Sequence, residues 1–261
     1  MKLSKVATKN HEAALELVRS DCRLTYEDRI FILENYHEGA THLNAKAGAF
    51  FTPLQLARDV ALNVGSGGRV IDLCAGIGML AFAVDWAGQE TEIVCVEANA
   101  EYVEVGKRVM PNATWIHADV LAYEPDGRGR FRCAVSNPPF GHIGATNHKR
   151  DGYTGPEMEF RVIDIASRCA QRGVFVLPQG SCPFAYSGRR TLEMQYSAKF
   201  NKFAAETGLS MELGCAVDTE DYRSQWKGTS PLCEVVLLDF PRTGSYTRPA
   251  LEPAQLELMP A

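Results

Sequence analysis

The chain has 261 residues, a formal net charge of −5, a hydrophobic fraction of 46% and a charged fraction of 23%. These values are those of an ordinary soluble globular protein with one sizeable core. No apolar run approaches 18 residues and the first residues are polar, so we expect no membrane span, no secretory signal and a cytoplasmic location. The negative charge does not by itself indicate a nucleic-acid partner, although the distribution of charge matters more than its sum.

The eight cysteines show no Cys-x-x-Cys spacing, and several lie in strand-like apolar runs. This pattern is typical of reduced thiols in the core of a cytoplasmic protein. We therefore expect neither a disulfide framework nor a metal site.

Two helices are predicted near the N-terminus. Residues 10–20 have amphipathic spacing with Asn10 as the cap, and Thr25 and Asp28 form a capping-box pattern for a helix that reaches about Tyr36. We interpret residues 1–45 as a helical extension of the domain that follows.

From residue 54 onward, helices and strands alternate. Predicted helices are 54–64, with Thr52 near its cap and Pro53 in its first turn, then 79–86, 100–109, 157–170 and 198–207. Predicted strands are 68–73, 92–96, 114–117, 131–135, 173–177, 211–217 and 233–239. This alternation predicts an α/β fold with a doubly wound, mostly parallel seven-stranded sheet over residues 46–240. Segments 179–195 and 218–231 are predicted loops, and 241–261 is a predicted tail.

Candidate binding residues follow the carboxyl ends of the first four predicted strands, the edge where open α/β sheets bind ligands. The first strand leads into Cys74-Ala-Gly-Ile-Gly78, whose glycines allow a close approach of backbone to ligand. Glu97 ends the second strand, where a carboxylate can accept both hydroxyls of a ribose, and Asp119 follows the third. Alone, Glu97 is explained equally well as a strand-end cap and Asp119 as a turn residue, but their shared edge indicates a ligand crevice.

Residues 136–141, Ser-Asn-Pro-Pro-Phe-Gly, follow the fourth strand. Each proline fixes its own φ and disfavours the α region for the preceding residue, so Asn137 and Pro138 are held extended. The result is a rigid shelf with one carboxamide, backbone carbonyls and the ring of Phe140. Such a shelf can hold an amino group attached to a planar ring, although a simple strand-ending turn has the same sequence features.

This ordered set resembles the S-adenosylmethionine-dependent methyltransferases, and among them those that methylate N6 of adenine in DNA. The matching residues are Gly48-Ala-Phe-Phe-Thr-Pro53, Asp72-Leu-Cys-Ala-Gly-Ile-Gly78, Glu97, Asp119 and Asn137-Pro-Pro-Phe140. The sequences of these motifs are similar to those in the modification subunits of type I restriction-modification systems and their stand-alone relatives. The resemblance covers about residues 45–180 and implies a Rossmann-like class I methyltransferase fold with S-adenosyl-L-methionine as cofactor.

The resemblance implies a role for each matching residue. Asp72 and the 74–78 loop would face the methionine part of the cofactor, Glu97 the ribose, and Asp119 with Val120 the cofactor's adenine. The implied cofactor-binding residues are Phe50, Phe51, Thr52, Asp72, Cys74, Ala75, Gly76, Gly78, Glu97, Ala98, Asp119, Val120 and Asn137. The implied catalytic residues are Asn137, Pro138, Pro139 and Phe140, with a target base flipped out of its duplex.

The nature of the substrate stays open among several alternatives. DNA adenine is the first hypothesis; RNA adenine-N6 methylation, protein-glutamine methylation, and a cofactor-binding subunit without turnover remain as alternatives. Only about twenty residues follow the last predicted strand. We therefore expect a separate recognition subunit, a short or relaxed target, or a substrate other than duplex DNA.

Possible substrate contacts lie in the loops. Residues 141–202 contain nine Lys/Arg and five Asp/Glu. Lys149, Arg150, Arg189, Arg190 and Lys227 are candidate phosphate contacts, with an ordinary solvated loop as the alternative. Trp226 is interpreted either as a stacking residue or as a lid over the core.

Overall fold

A computed structural model describes residues 4–37, 50–88, 91–125, 127–142, 152–215 and 217–241. Lys149 and Arg150, the start of the predicted 48–53 motif, and the predicted tail after Pro241 lie outside the described residues.

The described ranges contain α-helices that agree closely with the predicted ones. Their bounds are α1 Lys5–Arg19, α2 Tyr26–Asn35, α3 Leu54–Leu62, α4 Met79–Trp86, α5 Ala100–Val109, α6 Met158–Cys169 and α7 Ala198–Thr207. The capping box of Thr25 and Asp28 is confirmed.

One predicted helix start and one predicted cap are wrong. Helix α1 begins at Lys5 because Ser4 caps it, accepting a hydrogen bond from the Ala7 amide at 3.1 Å. Asn10 lies inside that helix and donates to Asn35 at 3.0 Å. At α3, Pro53 itself occupies the cap position and Thr52 makes no cap.

The strands are β1 Gly68–Leu73, β2 Thr91–Glu97, β3 Thr114–His117, β4 Cys133–Ser136, β5 Arg172–Pro178, β6 Phe184–Ala185, β7 Glu193–Met194, β8 Glu212–Leu213 and β9 Cys233–Asp239. Seven of them form one sheet in the order β3-β2-β1-β4-β5-β9-β8. Strands β1 to β5 pair in parallel, whereas β9 is antiparallel to both β5 and β8. The predicted doubly wound, mostly parallel seven-stranded sheet is confirmed.

Two strand predictions and two loop predictions need correction. Phe131 makes only an isolated bridge to Ala170, so β4 begins at Cys133. The strand predicted over 211–217 shrinks to β8, because its apolar ends, Met211 and Val217, are buried by packing rather than paired in the ladder. The predicted loops contain a two-stranded ribbon of β6 and β7 and a 3-10 helix at Thr219–Gln225.

The core lies on both faces of the sheet. Successive residues of β1 point to opposite faces, so Val70 joins the layer with α1 to α5 and Ile71 the layer with α6 and α7. The N-terminal helices share the first layer, and Arg108 of α5 donates to the carbonyls of Ser20 and Cys22 at 2.8 and 2.7 Å. The extension therefore packs directly on the sheet domain.

All eight cysteines are free thiols. Five are buried as expected, whereas Cys22 and Cys215 are exposed and Cys74 is half-buried beside the crevice. The described residues contain no cluster of three or more His, Cys, Asp or Glu side chains that could hold a metal ion. None of the helices in these ranges is long and apolar enough to cross a membrane.

Candidate active site

Strand register brings the predicted site residues to one edge of the sheet. Asp72 pairs with Cys95 of β2 and with Val135 of β4. Two residues further along each strand, Cys74, Glu97 and Asn137 are therefore level with one another. The sequence prediction that these positions meet at the carboxyl ends of neighbouring strands is confirmed.

The loop after β1 has an unusual backbone. Cys74, Gly76 and Gly78 have φ values of +62°, +57° and +93°, in the left-handed region that few side chains tolerate. A Cβ on Gly76 would lie 3.0 Å from the Phe51 ring. Gly76 thus has two reasons to lack a side chain, its φ and the close approach of Phe51. Cys74 adopts this conformation without being glycine, which is typical of a functional loop.

Glu97 joins the glycine loop to the end of β2. Its Oε2 accepts from the Gly76 amide and its Oε1 from the Asn99 amide, each at 2.8 Å. Burial raises the pKa of this carboxyl, while the backbone hydrogen bonds oppose that shift. Because an ionised carboxylate accepts more than one hydrogen bond per oxygen, Glu97 can serve as this cap and still bind two ribose hydroxyls.

Asp72 is a buried carboxylate with an unused acceptor. The side chain is 1% exposed, and its Oδ2 accepts from the Ala81 amide of α4 at 3.0 Å. Its Oδ1 is buried and has no hydrogen-bond partner among the described residues. Burial raises the pKa of Asp72 to about 8, and the nearby Glu97 adds to that shift. A cationic donor would satisfy Oδ1 and offset the raised pKa, so the ammonium group of a bound methionine moiety fits here.

Asp119 and Val120 follow β3 at the outer end of the crevice. Asp119 is exposed and caps the 3-10 helix Val120–Ala122, with its Oδ1 accepting from the Leu121 amide at 2.9 Å. Val120 is buried. The turn role of Asp119 is thus real and uses one carboxylate oxygen. Ala98 is exposed, and its carbonyl lies 3.0 Å from His117 Nε2.

The predicted shelf is anchored on two sides. The Ser136 hydroxyl donates to the Leu73 carbonyl and ties β4 to β1. Asn137 Nδ2 donates to the Phe50 carbonyl at 2.8 Å, whereas its Oδ1 is buried with no hydrogen-bond partner in the described ranges. Pro138 is buried, Pro139 is half-buried, and the half-buried Phe140 packs against the first core layer.

Glu159 also supports the shelf, and the sequence interpretation did not identify it. This α6 carboxylate is 0% exposed and accepts from the amide of Gly141, directly after the shelf, at 2.8 Å. It also accepts from the Ser181 hydroxyl at 2.8 Å and lies 3.5 Å from Lys199 Nζ. A charged residue on the apolar face of a predicted helix is the signal that could have revealed it.

The predicted substrate contacts have different surroundings. Arg189 and Arg190 are exposed, and Arg189 pairs with Glu193 at 3.6 Å. Trp226 is 5% exposed and belongs to the first core layer, which favours the lid alternative. Lys227 donates to the carbonyls of Leu33 and Tyr36 at 3.2 and 2.8 Å, at the end of α2. These bonds argue against a phosphate contact at Lys227.

Comparisons with known proteins agree with this arrangement. Residues 56–150 match the family described as the methyltransferase small domain. One similar solved structure is a candidate class I S-adenosylmethionine-dependent methyltransferase from Listeria monocytogenes, with 12% identity and a TM-score of 0.58 over 85% of this chain and 70% of that one. Another is the 23S rRNA methyltransferase ErmE, with 14% identity and a TM-score of 0.50 over 74% and 70%. No curated protein matches the chain.

The fold is that of the class I methyltransferases. At such low identity the solved structures show the fold alone. Taken with the family match over 56–150, that fold implies S-adenosyl-L-methionine as the cofactor and methyl transfer as the reaction type. Neither the family match nor the fold specifies the methyl acceptor.

Proposed function

We propose that this protein transfers a methyl group from S-adenosylmethionine to the N6 amine of adenine in DNA. The observation that carries the proposal is the fixed orientation of the Asn137 carboxamide. Its Nδ2 is held by the Phe50 carbonyl, so the amide cannot flip without losing that bond. The oxygen is the end that remains for a ligand.

A buried acceptor without a partner costs roughly 1–3 kcal/mol. Asn137 Oδ1 is such an acceptor among the described residues, and it lies at the sheet edge that also carries Asp72 and Glu97. A ligand with an N–H group removes this cost when it binds. That requirement supports an amine or amide as the methyl acceptor.

Bound S-adenosylmethionine supplies an electrophilic methyl group on a sulfonium. The residues suited to hold the cofactor are Asp72, the 74–78 loop and Glu97, with Asp119 at the outer end of the crevice. Phe51 also belongs to this wall, since its ring packs against Gly76. The chain's part of the chemistry is then to present the acceptor in a reactive geometry.

An exocyclic adenine amine is a weak nucleophile because its lone pair is delocalised into the ring. Asn137 Oδ1 and the Pro138 carbonyl can accept its two hydrogens and favour a tetrahedral nitrogen. The same acceptors stabilise the positive charge that develops as the new N–C bond forms, and positioning supplies much of the rate. The product ammonium is acidic enough to lose its proton to water, so no side-chain base is required.

Phe140 offers a ring face for the target base. Its half-buried side chain is held by the first core layer. Stacking of a base on an aromatic ring contributes roughly 1–3 kcal/mol, comparable to the few kcal/mol needed to flip a base out of a duplex. We propose DNA as the partner, with target recognition from a separate subunit or from a short, relaxed site.

Substitution of Asn137 by alanine tests the proposal. Methyl transfer by Asn137→Ala should fall at least about 100-fold, because a transition-state acceptor is lost. The affinity for S-adenosylhomocysteine, measured by calorimetry, should stay near that of the wild type. Asn112→Ala, at an exposed turn before β3, is the matched control and should keep full activity.

Near wild-type methylation by Asn137→Ala would show that the shelf does not present the acceptor. Equal loss of methylation and cofactor affinity would instead assign Asn137 to cofactor binding alone. Methyl transfer to RNA adenine or to protein glutamine would keep the shelf chemistry and replace the proposed substrate.

A further inference from the structure

The ribbon formed by β6 and β7 stands beside the shelf. Strand β5, the parallel neighbour of β4, leads into this ribbon, in which Phe184 pairs with Met194 and Ala185 with Glu193. Because β4 and β5 run in parallel, the segments that follow them lie at the same edge of the sheet. The ribbon lies within residues 179–195, which the sequence predicts to be a loop.

Hydrogen bonds hold the ribbon to the sheet edge. Gln195 Nε2 donates to the carbonyls of Gln179 and Phe184 at 2.7 and 3.1 Å. Ser181, in the same connection, bonds to Glu159, which also binds the Gly141 amide after the shelf. Glu159 therefore links the shelf to the short connection that leads from β5 into the ribbon.

Three large apolar side chains in and beside β7 are exposed. Leu192, Met194 and Tyr196 are 49%, 60% and 49% exposed. Met194 lies in β7, whereas Leu192 precedes that strand and Tyr196 follows it, with its ring 6.2 Å from that of Phe200. We name these three exposed side chains the ribbon stripe. Such a stripe differs from isolated surface hydrophobics, which need no explanation.

Positive charge lies beside the ribbon stripe. Of the four Lys/Arg in residues 186–202, Lys199 lies 3.5 Å from Glu159 and Lys202 lies 3.9 Å from Glu206, so the positive charge near the ribbon belongs to Arg189 and Arg190. Arg189 and Arg190 are exposed at the turn of the ribbon, and the exposed pair of Arg189 with Glu193 is weak in water. A phosphate can therefore replace Glu193 as the partner of Arg189.

We propose that the ribbon stripe, with Arg189 and Arg190, docks the single-stranded DNA that carries the target adenine. Unstacked bases offer flat apolar faces to Tyr196 and its two apolar neighbours, while the arginines contact the backbone. A duplex hides those base faces inside its stack. The inference rests on the proposed function for its target base and adds the strandedness and location of the substrate.

Fluorescence anisotropy with the full chain and S-adenosylhomocysteine tests this docking. The probes are fluorescein-labelled, adenine-containing oligonucleotides of one sequence as single-stranded DNA, single-stranded RNA and duplex DNA. We expect tighter binding of single strands than of the duplex. Tyr196→Ala should raise the Kd about 5- to 100-fold, the loss of one stacked base. Replacing both arginines by glutamine should lower the slope of log K against log salt by about 0.7 per lost phosphate contact.

Leu62→Ser is the control, because Leu62 is an apolar residue that is 67% exposed at the end of α3, away from the ribbon. Its Kd for each oligonucleotide should match the wild type, and circular dichroism should show all variants folded. Tighter binding of the single-stranded RNA than of the single-stranded DNA would overturn DNA as the occupant. Equal effects of Tyr196→Ala and Leu62→Ser would overturn the assigned surface.

Failure of this inference differs from failure of the proposed function, because binding is measured without methyl transfer. A wild-type protein that binds S-adenosylhomocysteine but none of the oligonucleotides would overturn the docking proposal. The proposal would also be overturned if Tyr196→Ala weakened the binding of glutamine-bearing peptides and left the binding of oligonucleotides unchanged. Stripe-dependent oligonucleotide binding without methylation of adenine would leave the docking surface intact and overturn the proposed activity.

Discussion

Replacement of Asp72 by asparagine should change how the stability of the cofactor-free protein depends on pH. Asp72 is buried at the end of β1, and burial raises its pKa from 3.8 to about 8. Between these values the folded chain keeps a proton on Asp72 that the unfolded chain has lost. The folded state binds more protons, so this group makes the free energy of unfolding fall as the pH rises from 4 to 8.

The size of the effect follows from the shift. One pKa unit corresponds to about 1.4 kcal/mol, so the stability lost through Asp72 grows by about 1.4 kcal/mol per pH unit within that window. Between pH 5 and pH 7 the loss is about 2.7 kcal/mol, a large part of the roughly 5–15 kcal/mol that stabilises a typical domain. Asparagine cannot ionise, so the variant lacks this term.

Urea unfolding followed by circular dichroism at pH 5, 6 and 7 measures the effect. The Asp72→Asn variant should gain stability relative to the wild type by about 1.4 kcal/mol per pH unit. Asp85→Asn, an exposed carboxyl on α4, controls for the change in net charge. A difference between Asp72→Asn and the wild type that stays constant across the three pH values would refute the account of Asp72 as a proton-holding buried carboxyl.

Two further substitutions test the packing and the assignment of residues near the site. Gly106→Ala places a Cβ 2.1 Å from the Trp115 ring, so overpacking should outweigh the gain in helix propensity of about 1 kcal/mol and lower the unfolding free energy by about 1–3 kcal/mol. The control Gly180→Ala has open space around its Cβ and should change the unfolding free energy by no more than about 0.5 kcal/mol. Equal effects of the two substitutions would contradict the packing of Trp115 against Gly106. Lys227→Met removes two bonds to carbonyls at the end of α2 and should cost about 1–3 kcal/mol in urea unfolding while the salt slope of oligonucleotide binding stays unchanged. A slope reduced by about 0.7 or more would restore Lys227 as a phosphate contact.

The order of the elements was predictable because hydrophobic periodicity and turn residues are local signals. Strands β1, β2, β4 and β5 have apolar centres, and the predicted bounds of all five parallel strands agree with the structure to within two residues. The pairing of β8 with β9 could not be predicted from local signals. The apolar run at 211–217 indicates burial, but only two of its residues reach the β9 ladder. The ribbon of β6 and β7 depends on Gln195, whose role as an anchor has no sequence signature.

The candidate site was predictable where its residues follow strand ends. Asp72, Glu97 and Asn137 were found because parallel strands bring their carboxyl ends together. Glu159 was not found, since its partners, Gly141 and Ser181, are separated from it by long connections. The basic candidates show the opposite error. The positive charge of Lys227 in a predicted loop suggested a phosphate contact, whereas its ammonium group donates a hydrogen bond to the Tyr36 carbonyl at the end of α2.

The most direct test of the central claim is the identity of the methylated product. The purified chain is incubated with methyl-labelled S-adenosylmethionine and, separately, with adenine-containing DNA, RNA and a glutamine-bearing protein, and each product is digested to nucleosides or amino acids. The account predicts label in N6-methyladenine from DNA with the wild type and at least about 100-fold less label with Asn137→Ala. Label on a ring carbon, a ring nitrogen or an oxygen, or equal labelling by both proteins, would contradict it.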